Sequence, residues 1–300
     1  MNSFDNALGA LDSTSRNLRQ RTLTGLAFRR LLRHRLAMVG VGVVGLLVFA
    51  AVASPWLSPY DPVQMDPGNA LQAPTRQHVM GTDEYGRDLL SRVIFGSRTS
   101  LAVGIISVSI ALSLGTALGL VSGYYLGLLD TVISRAMDLL YAFPPLLLTL
   151  LIIAIMGTGI DKAMIALGII YTPAFARVCR GSVLTERGKV YVEAAQMVGA
   201  SNFRVIRTHI LPNVLAPTIV NATLFMSHAI LIEAALSYLG LGTQPPMPSW
   251  GMMLKQGRDV MQLSPWPSLW PGLAIMIVVL AFNVFGDGLR DALDPKLIGK

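Results

Sequence analysis

Few side chains in this sequence have both the type and the spacing to do chemistry. Cys179 is the single cysteine, so no internal disulfide can form. His34, His78, His209 and His228 are scattered and give no metal-ligand spacing. The stretch GSVLTERGKV, from Gly181 to Val190, has the outline of a phosphate-binding loop. Six residues separate its glycines where four are needed, and Val190 stands where Ser or Thr would hold magnesium. Such a loop is not expected to bind ATP. No catalytic residue, metal or cofactor is expected.

A second group of polar side chains falls inside an apolar run. Asn221, Thr223, Ser227, His228 and Glu233 lie in or just after Val214–Ile232. Polar groups at membrane depth face a bundle interior or a watery path. Asn221 and His228 are seven residues apart and share a helix face. Glu233 is turned about 140° from His228 at 100° per residue. From Val214 it lies about 28 Å along the helix, close to the outer surface. Asn221, His228 and Glu233 are the candidates for a translocation path. For Glu233 the competing roles are snorkelling and a structural hydrogen bond. For His228 the competing role is that of a neutral, hydrogen-bonded core histidine.

The third group is Glu193–Pro212, EAAQMVGASNFRVIRTHILP, the one long polar stretch in the second half of the chain. A helix is expected over residues 191–199, broken at Gly199. Ser201 is placed to cap a second short helix, and Pro212 suits the first turn of the next one. Ala195, Gly199, Phe203, Ile206 and Ile210 are spaced 4, 4, 3 and 4 and predict one apolar stripe, with Arg204 and Arg207 on another face. An apolar stripe facing water needs a cover. A partner protein and the lipid surface both satisfy that need.

The elements that must position these groups are membrane spans. The chain has 300 residues, 53% hydrophobic and only 14% charged, against about 25% charged in ordinary soluble domains. Its net charge of +7 fits basic loops facing the cytoplasm and anionic lipid better than nucleic acid. The N-terminal 20 residues lack periodicity and are expected to be disordered. Candidate spans are Leu36–Ala53, Leu101–Ser122, Leu139–Ile160, Ala163–Ala176, Val214–Ile232 and Pro271–Gly286. Pro144 and Pro145 are expected to kink the third. Leu89, Leu90, Val93 and Ile94 predict a short amphipathic helix before the second. Within the second, Ser107, Ala111, Gly115, Gly119 and Gly123 form a small-residue stripe suited to close helix packing.

The fourth run has only 14 residues, and charge decides whether it crosses. With six spans and the N-terminus inside, inner segments hold 17 Lys and Arg and outer segments 7. Removing the fourth span makes this 10 and 14. Basic residues favour the inner side, so six spans are expected, with both termini cytoplasmic. Trp56, Trp250, Trp266 and Trp270 then all fall near outer span ends, where indoles favour the interface.

Glu193-Ala194-Ala195, Gly199 and Leu211-Pro212 resemble the signature loop of permease subunits in bacterial ABC importers. His209 stands where the general pattern has an aliphatic residue, and His209–Asn213 is similar to the peptide-importer branch. GTDEYGRDLLSRVIFGSRTSL (81–101), LGLGTQPPMPSWGMML (239–254) and AFNVFGDGLRDALDPK (281–296) resemble the C-type permease of dipeptide and oligopeptide importers. The likeness covers roughly residues 30–300. It implies an all-α membrane protein of six transmembrane helices. Residues 1–35 would be a cytoplasmic tail, 36–100 the first span and outer loop, 101–288 a five-span core and 289–300 a second cytoplasmic tail.

It also implies a coupling helix seated in a groove of an ATPase subunit, formed by Glu193, Ala194, Ala195, Gly199, Phe203, Ile206, Leu211 and Pro212. The implied partners are a homologous second permease, two ABC ATPase subunits, an extracytoplasmic substrate-binding protein and the lipid bilayer, with no nucleic acid. The loop at 241–270 would help receive the binding protein, or its tryptophans would pack on lipid. The implied function is uptake of di- or oligopeptides across the bacterial inner membrane by alternating access. The alternatives are nickel chelates or another small solute, and a non-transport membrane scaffold.

Overall fold

The computed structural model describes residues 35–293, and among them it is helical, with a single isolated bridge between Thr82 and Asp88. The expectations for the N-terminal tail and for the last residues of the chain lie outside this range. Besides short turns at Ser54–Leu57 and Pro67–Asn69, the helices are α1 (Arg35–Val52), α2 (Leu89–Tyr125), α3 (Gly127–Tyr141), α4 (Pro145–Met156), α5 (Ile160–Arg187), α6 (Val190–Met197), α7 (Asn202–Val205), α8 (Leu211–Tyr238), α9 (Trp250–Asp259) and α10 (Trp266–Leu293). Five stretches are long and apolar enough to cross a bilayer: α1, α2, α5, α10 and the run from Asn202 to Tyr238. The bent pair α3–α4 brings the number to six if it is one span.

The sequence pattern dictates the central contact. Helix α2 lays its small-residue stripe against α5. An ideal Cβ on Gly115 would sit 2.7 Å from the Thr172 carbonyl oxygen, and one on Gly119 2.6 Å from that of Ala176. Backbones approach this closely only where side chains are missing. Ser107 Oγ donates to the Met164 carbonyl at 3.0 Å on the same line. Gly40 of α1 is pressed in the same way against α10 at Ala281 and Phe285.

Three elements differ from expectation. The amphipathic segment at 89–94 is not a separate helix. It is the start of α2, because no breaker follows it and Asp88 caps its N-terminus by accepting from Ser91 N–H at 2.8 Å. At 1.5 Å per residue α2 is about 55 Å long, well beyond a hydrocarbon core of about 30 Å. Secondly, the kink at Pro144–Pro145 is a complete break, with α3 and α4 bent by 93°. Proline removes backbone donors and excludes the helical conformation for the residue before it. Thirdly, Trp250 is no interfacial anchor. It is 2% exposed, and its indole N–H donates to the Val93 carbonyl at 3.0 Å, beside Gly96. Trp270 likewise donates to the Met80 carbonyl at 2.9 Å. Trp56 does stay exposed.

The loop between α1 and α2 is folded around buried charge. The Asp83 carboxylate accepts from the Arg87 Nε at 2.6 Å and from the backbone N–H groups of Tyr85 and Arg87 at 2.9 Å. Arg92 lies 3.4 Å from the same carboxylate and donates to the Pro62 carbonyl at 2.8 Å. Both arginines reach Gln256 of α9 at 3.4 Å. Buried charges persist only when paired and hydrogen-bonded, which gives the GTDEYGRDLLSR stretch a structural reason. Glu84, beside this pair, has its carboxyl pushed above the usual range by burial.

Candidate functional site

The Glu193–Pro212 stretch is built from short pieces locked to three long helices. Helix α6 ends in a Schellman arrangement: Gly199 has φ +87°, its N–H donates to Gln196 O at 2.9 Å, and Ala200 N–H donates to Ala195 O at 3.0 Å. Glycine is needed here for its left-handed backbone, not for space, since a Cβ would meet nothing within 4 Å. Ser201 caps α7, its hydroxyl accepting from Arg204 N–H at 3.4 Å. Residues Ile206–Ile210 then form one π-helical turn that runs into α8, with Pro212 in its first turn. Such turns inside longer helices recur at functional sites.

The apolar residues divide in a way that the spacing does not foretell. Ile210, Val192 and Val205 are fully buried and pack with Val183, Val214 and Tyr124, with Ile206 against them. The break at Gly199 separates Ala195 from the later members of the stripe, and the π turn at Ile206–Ile210 shifts the phase of Ile210, which is buried while Phe203 faces out. What faces out is a knob of Met197 (83% exposed), Val198 (89%) and Phe203 (71%) around Gly199. Met197 and Val198 are missed by helical spacing counted through Gly199. The signal for them is the glycine itself, which ends the helix and projects the residues just before it. Glu193 and Ala194 lie exposed on α6, Ala195 and Leu211 are half-buried, and Pro212 is exposed.

Hydrogen bonds tie this knob to the bundle. Tyr124, near the end of α2, donates to Asn202 Oδ1 at 2.9 Å and accepts from Gln196 at 3.2 Å. Tyr191 of α6 donates to Glu186 of α5 at 2.5 Å and accepts from Asn213 of α8 at 3.1 Å. Burial, with the neighbouring Glu186 carboxylate, pushes the Tyr191 hydroxyl up to about 12. It therefore stays a donor throughout the physiological range. The segments that flank the knob are thus hydrogen-bonded to the ends of α2, α5 and α8.

The intramembrane polar residues are not brought to one place. Glu233 is fully buried, with its carboxylate accepting from Ser237 at 2.7 Å, Ser100 at 3.3 Å and Thr243 at 3.5 Å. It joins α2, α8 and the loop before α9. Of the competing roles, the structural hydrogen bond is the one observed, and no snorkelling occurs. Asn221 lines a cavity of about 600 Å³ with Ser182, Glu186, Asn213 and Arg290. His228 is exposed and lines a separate cavity of about 320 Å³ at the α3–α4 break. Ser227 donates to Asn283 of α10 at 2.9 Å, a cross-bundle bond within the AFNVFGDG stretch. Among the described residues no group of His, Cys, Asp and Glu is arranged to hold a metal ion.

The fold is that of the membrane-spanning permeases of ABC transporters. It matches the MetNI methionine ABC transporter, solved in inward facing conformations, with TM-score 0.56 at 18% identity. The match covers 68% of this chain and 96% of that one. A crystal structure of an amino acid ABC transporter matches with TM-score 0.52 at 17% identity. Residues 115–299 match the family described as the binding-protein-dependent transport system inner membrane component. Residues 22–74 match the N-terminal TM domain of oligopeptide transport permease C. The chain is 46% identical over 271 residues to the dipeptide transport system permease protein of Alkalihalophilus pseudofirmus, covering 90% of this chain and 89% of that one. It is also 46% identical to the di/tripeptide transport system permease protein of Pseudomonas aeruginosa, covering 87% and 88%. With the glutathione transport system permease protein of Pectobacterium atrosepticum it shares 43%, covering 90% of each. The chain belongs to the binding-protein-dependent permease family of ABC importers, in its dipeptide and peptide branch. Permeases of this family work with a partner permease, ATPase subunits and a binding protein. The ATPase activity lies in separate subunits, so this chain is not itself an enzyme.

Proposed function

We propose that this chain is one of two permease subunits of an ATP-driven importer that carries di- or oligopeptides across the bacterial inner membrane by alternating access. The observation that carries the reading is the knob of Met197, Val198 and Phe203, apolar, exposed and rigidly tied to α2, α5 and α8. In this reading Glu193, Ala194, Ala195, Gly199, Phe203, Ile206, Leu211 and Pro212 build the coupling element, and an ATPase groove covers the knob on the cytoplasmic side. Ile206 acts from beneath, as packing for the exposed residues. ATP binding by the partner moves the groove, and the three helix ends follow. Both termini lie in the cytoplasm, and the α8–α9 loop faces the substrate-binding protein. The peptide assignment rests on relatives named for dipeptide and di/tripeptide transport.

The test is uptake by proteoliposomes holding the whole complex, with labelled dialanine outside together with binding protein and ATP trapped inside. The reading expects accumulation that needs both. No accumulation of dialanine or trialanine by a complex that hydrolyses ATP normally contradicts it. A second reading is glutathione, favoured by relatives at 43% identity named for glutathione transport. Accumulation of glutathione in preference to both alanine peptides supports it.

A further inference from the structure

Of the three long helices bonded to the knob, one is uninterrupted. Helix α5 carries Pro173 and α8 carries Pro217 in their interiors, whereas α2 runs 37 residues from Leu89 to Tyr125 without a proline. An internal proline removes a backbone donor and bends a helix, so α2 is the stiffest of the three. Its glycines do not loosen it, because each is pressed on a neighbour: Gly96 on Trp250, Gly104 on Met226, and Gly115, Gly119 and Gly123 on α5. From Ser91 to Tyr124 it covers about 50 Å, so its two ends stand on opposite sides of a hydrocarbon core of about 30 Å.

Both ends are tied to loop segments. At the inner end the buried Tyr124 hydroxyl donates to Asn202 at the start of α7 at 2.9 Å and accepts from Gln196 near the end of α6 at 3.2 Å. Those two residues flank the Gly199 turn, so one hydroxyl bonds both sides of the knob to α2. The Arg187 guanidinium lies 5.8 Å from the centre of the Tyr124 ring, and the Tyr125 ring meets it edge-on at 5.1 Å. At the outer end, Ser91 accepts from Tyr60 N–H at 3.2 Å and Arg92 donates to the Pro62 carbonyl at 2.8 Å. The Val93 carbonyl accepts from the Trp250 indole, and the Thr99 hydroxyl donates to the Pro248 carbonyl, both at 3.0 Å. The loop before α2 and the segment leading into α9 therefore hang from the same helix.

We propose, on the importer reading above, that Tyr124 is a positioning residue of the coupling step and that α2 carries the knob's displacement to the outer face. Tyr124 touches neither peptide nor nucleotide. It acts by holding the turn that the ATPase grips. When ATP closes the ATPase subunits, the turn draws the inner end of α2 with it. The segments around Tyr60, Pro62 and Pro248 shift at the far end, where the binding protein sits. Coupling between two sites is reciprocal, so docking of the binding protein biases the knob through the same helix.

The experiment uses the whole complex in proteoliposomes with ATP inside. It measures the stimulation of ATP hydrolysis when dialanine-loaded binding protein is added outside. Tyr124→Phe keeps the ring and removes both hydroxyl bonds, and stimulation is expected to fall about tenfold, the scale of one or two lost hydrogen bonds. Thr99→Val removes the bond to Pro248, about 38 Å away along α2, and is expected to lower stimulation about threefold. The double variant is expected to be no worse than Tyr124→Phe alone, because both substitutions cut one route. Sites so far apart are otherwise additive. Tyr125→Phe, at an exposed neighbour that makes neither bond, is the control and should leave stimulation unchanged. A merely structural hydroxyl would lower the yield or melting temperature of the complex and leave stimulation per assembled complex as it was, and that result overturns the proposal. So does loss of the ATPase subunits from Tyr124→Phe, which would make the hydroxyl part of the docking surface. Multiplying losses in the double variant overturn α2 as the route. If Tyr124→Phe does not accumulate, Asn202→Ala, at an exposed position, decides in its place, with a fall of about threefold expected. A parent complex that shows no stimulation contradicts the importer reading itself, and the proposal falls with it.

Discussion

Substitutions at Gly199 separate backbone, size and charge at the proposed joint. The residue has φ +87°, and nothing lies within 4 Å of an added Cβ. Any side chain therefore costs backbone strain alone, about 1–2 kcal/mol for an ordinary L-residue and less for Asn or Asp. The chain should fold and insert with Gly199→Ala, Gly199→Asn and Gly199→Asp alike. The knob behaves differently. Burying Met197, Val198 and Phe203 against a partner is worth roughly 1.5–3 kcal/mol each before the costs of association. An aspartate at the centre of that contact is a buried, unpaired charge, with a penalty of about 3 kcal/mol or more. That is roughly a hundredfold or more in affinity. The assay is co-purification of the ATPase subunits in mild detergent, followed by uptake in vesicles. Gly199→Ala and Gly199→Asn should keep at least a third of wild-type uptake. Gly199→Asp should lose the ATPase subunits or all uptake while its level in the membrane stays normal. Normal assembly and uptake by Gly199→Asp would refute the reasoning, because a charge would then be harmless where a dry contact is claimed.

Other outcomes follow from the packing. Gly119→Val places side-chain atoms against the Ala176 carbonyl and Cys179, so α2 and α5 must part. A loss of about 1–3 kcal/mol is expected, read as a lower melting temperature in detergent. Glu233→Ala leaves the hydroxyls of Ser100, Ser237 and Thr243 without their shared acceptor and should destabilise by about 2–4 kcal/mol. Glu233→Gln, which keeps an acceptor, should cost less, and equal melting temperatures for the two would contradict the network. Single cysteines at exposed Ala200-adjacent Ser201 and at Leu263, with Cys179 replaced by alanine, test topology. Membrane-impermeant maleimide added to intact cells should label position 263 and not 201.

Much of this architecture is legible in the sequence because the bilayer is a severe solvent. An 18-residue uncharged run such as Leu36–Ala53 has few alternatives to a spanning helix. The small-residue stripe of α2 likewise points to a close neighbour, though not to α5 in particular. Helix α3 is harder. Its exposed apolar positions Leu128 and Val132 share a sequence with Asp130, Arg135 and Asp138 and fall between the second and third candidate spans. The structure shows what the charges do: Asp130 holds Arg180 of α5 at 2.6 Å, a partner 50 residues away. The burial of Trp250 is equally non-local, since it depends on Gly96 and the Val93 carbonyl. At the signature loop, helical spacing across Gly199 places Ile206 and Ile210 with Phe203. The π turn at Ile206–Ile210 shifts Ile210 out of that phase, and the left-handed Gly199 ends α6 so that Met197 and Val198 stand exposed.

In the importer proposed above, an ATPase subunit covers the knob around Gly199. A photoreactive phenylalanine analogue at Phe203 in the fully assembled complex, with a second at buried Val192 as control, reports that contact. Irradiation should join the chain to an ATPase subunit from position 203 and not from 192. Cross-linking from 203 to lipid or to the second permease, with no ATPase adduct in an assembled complex, would show that the knob is not the ATPase contact.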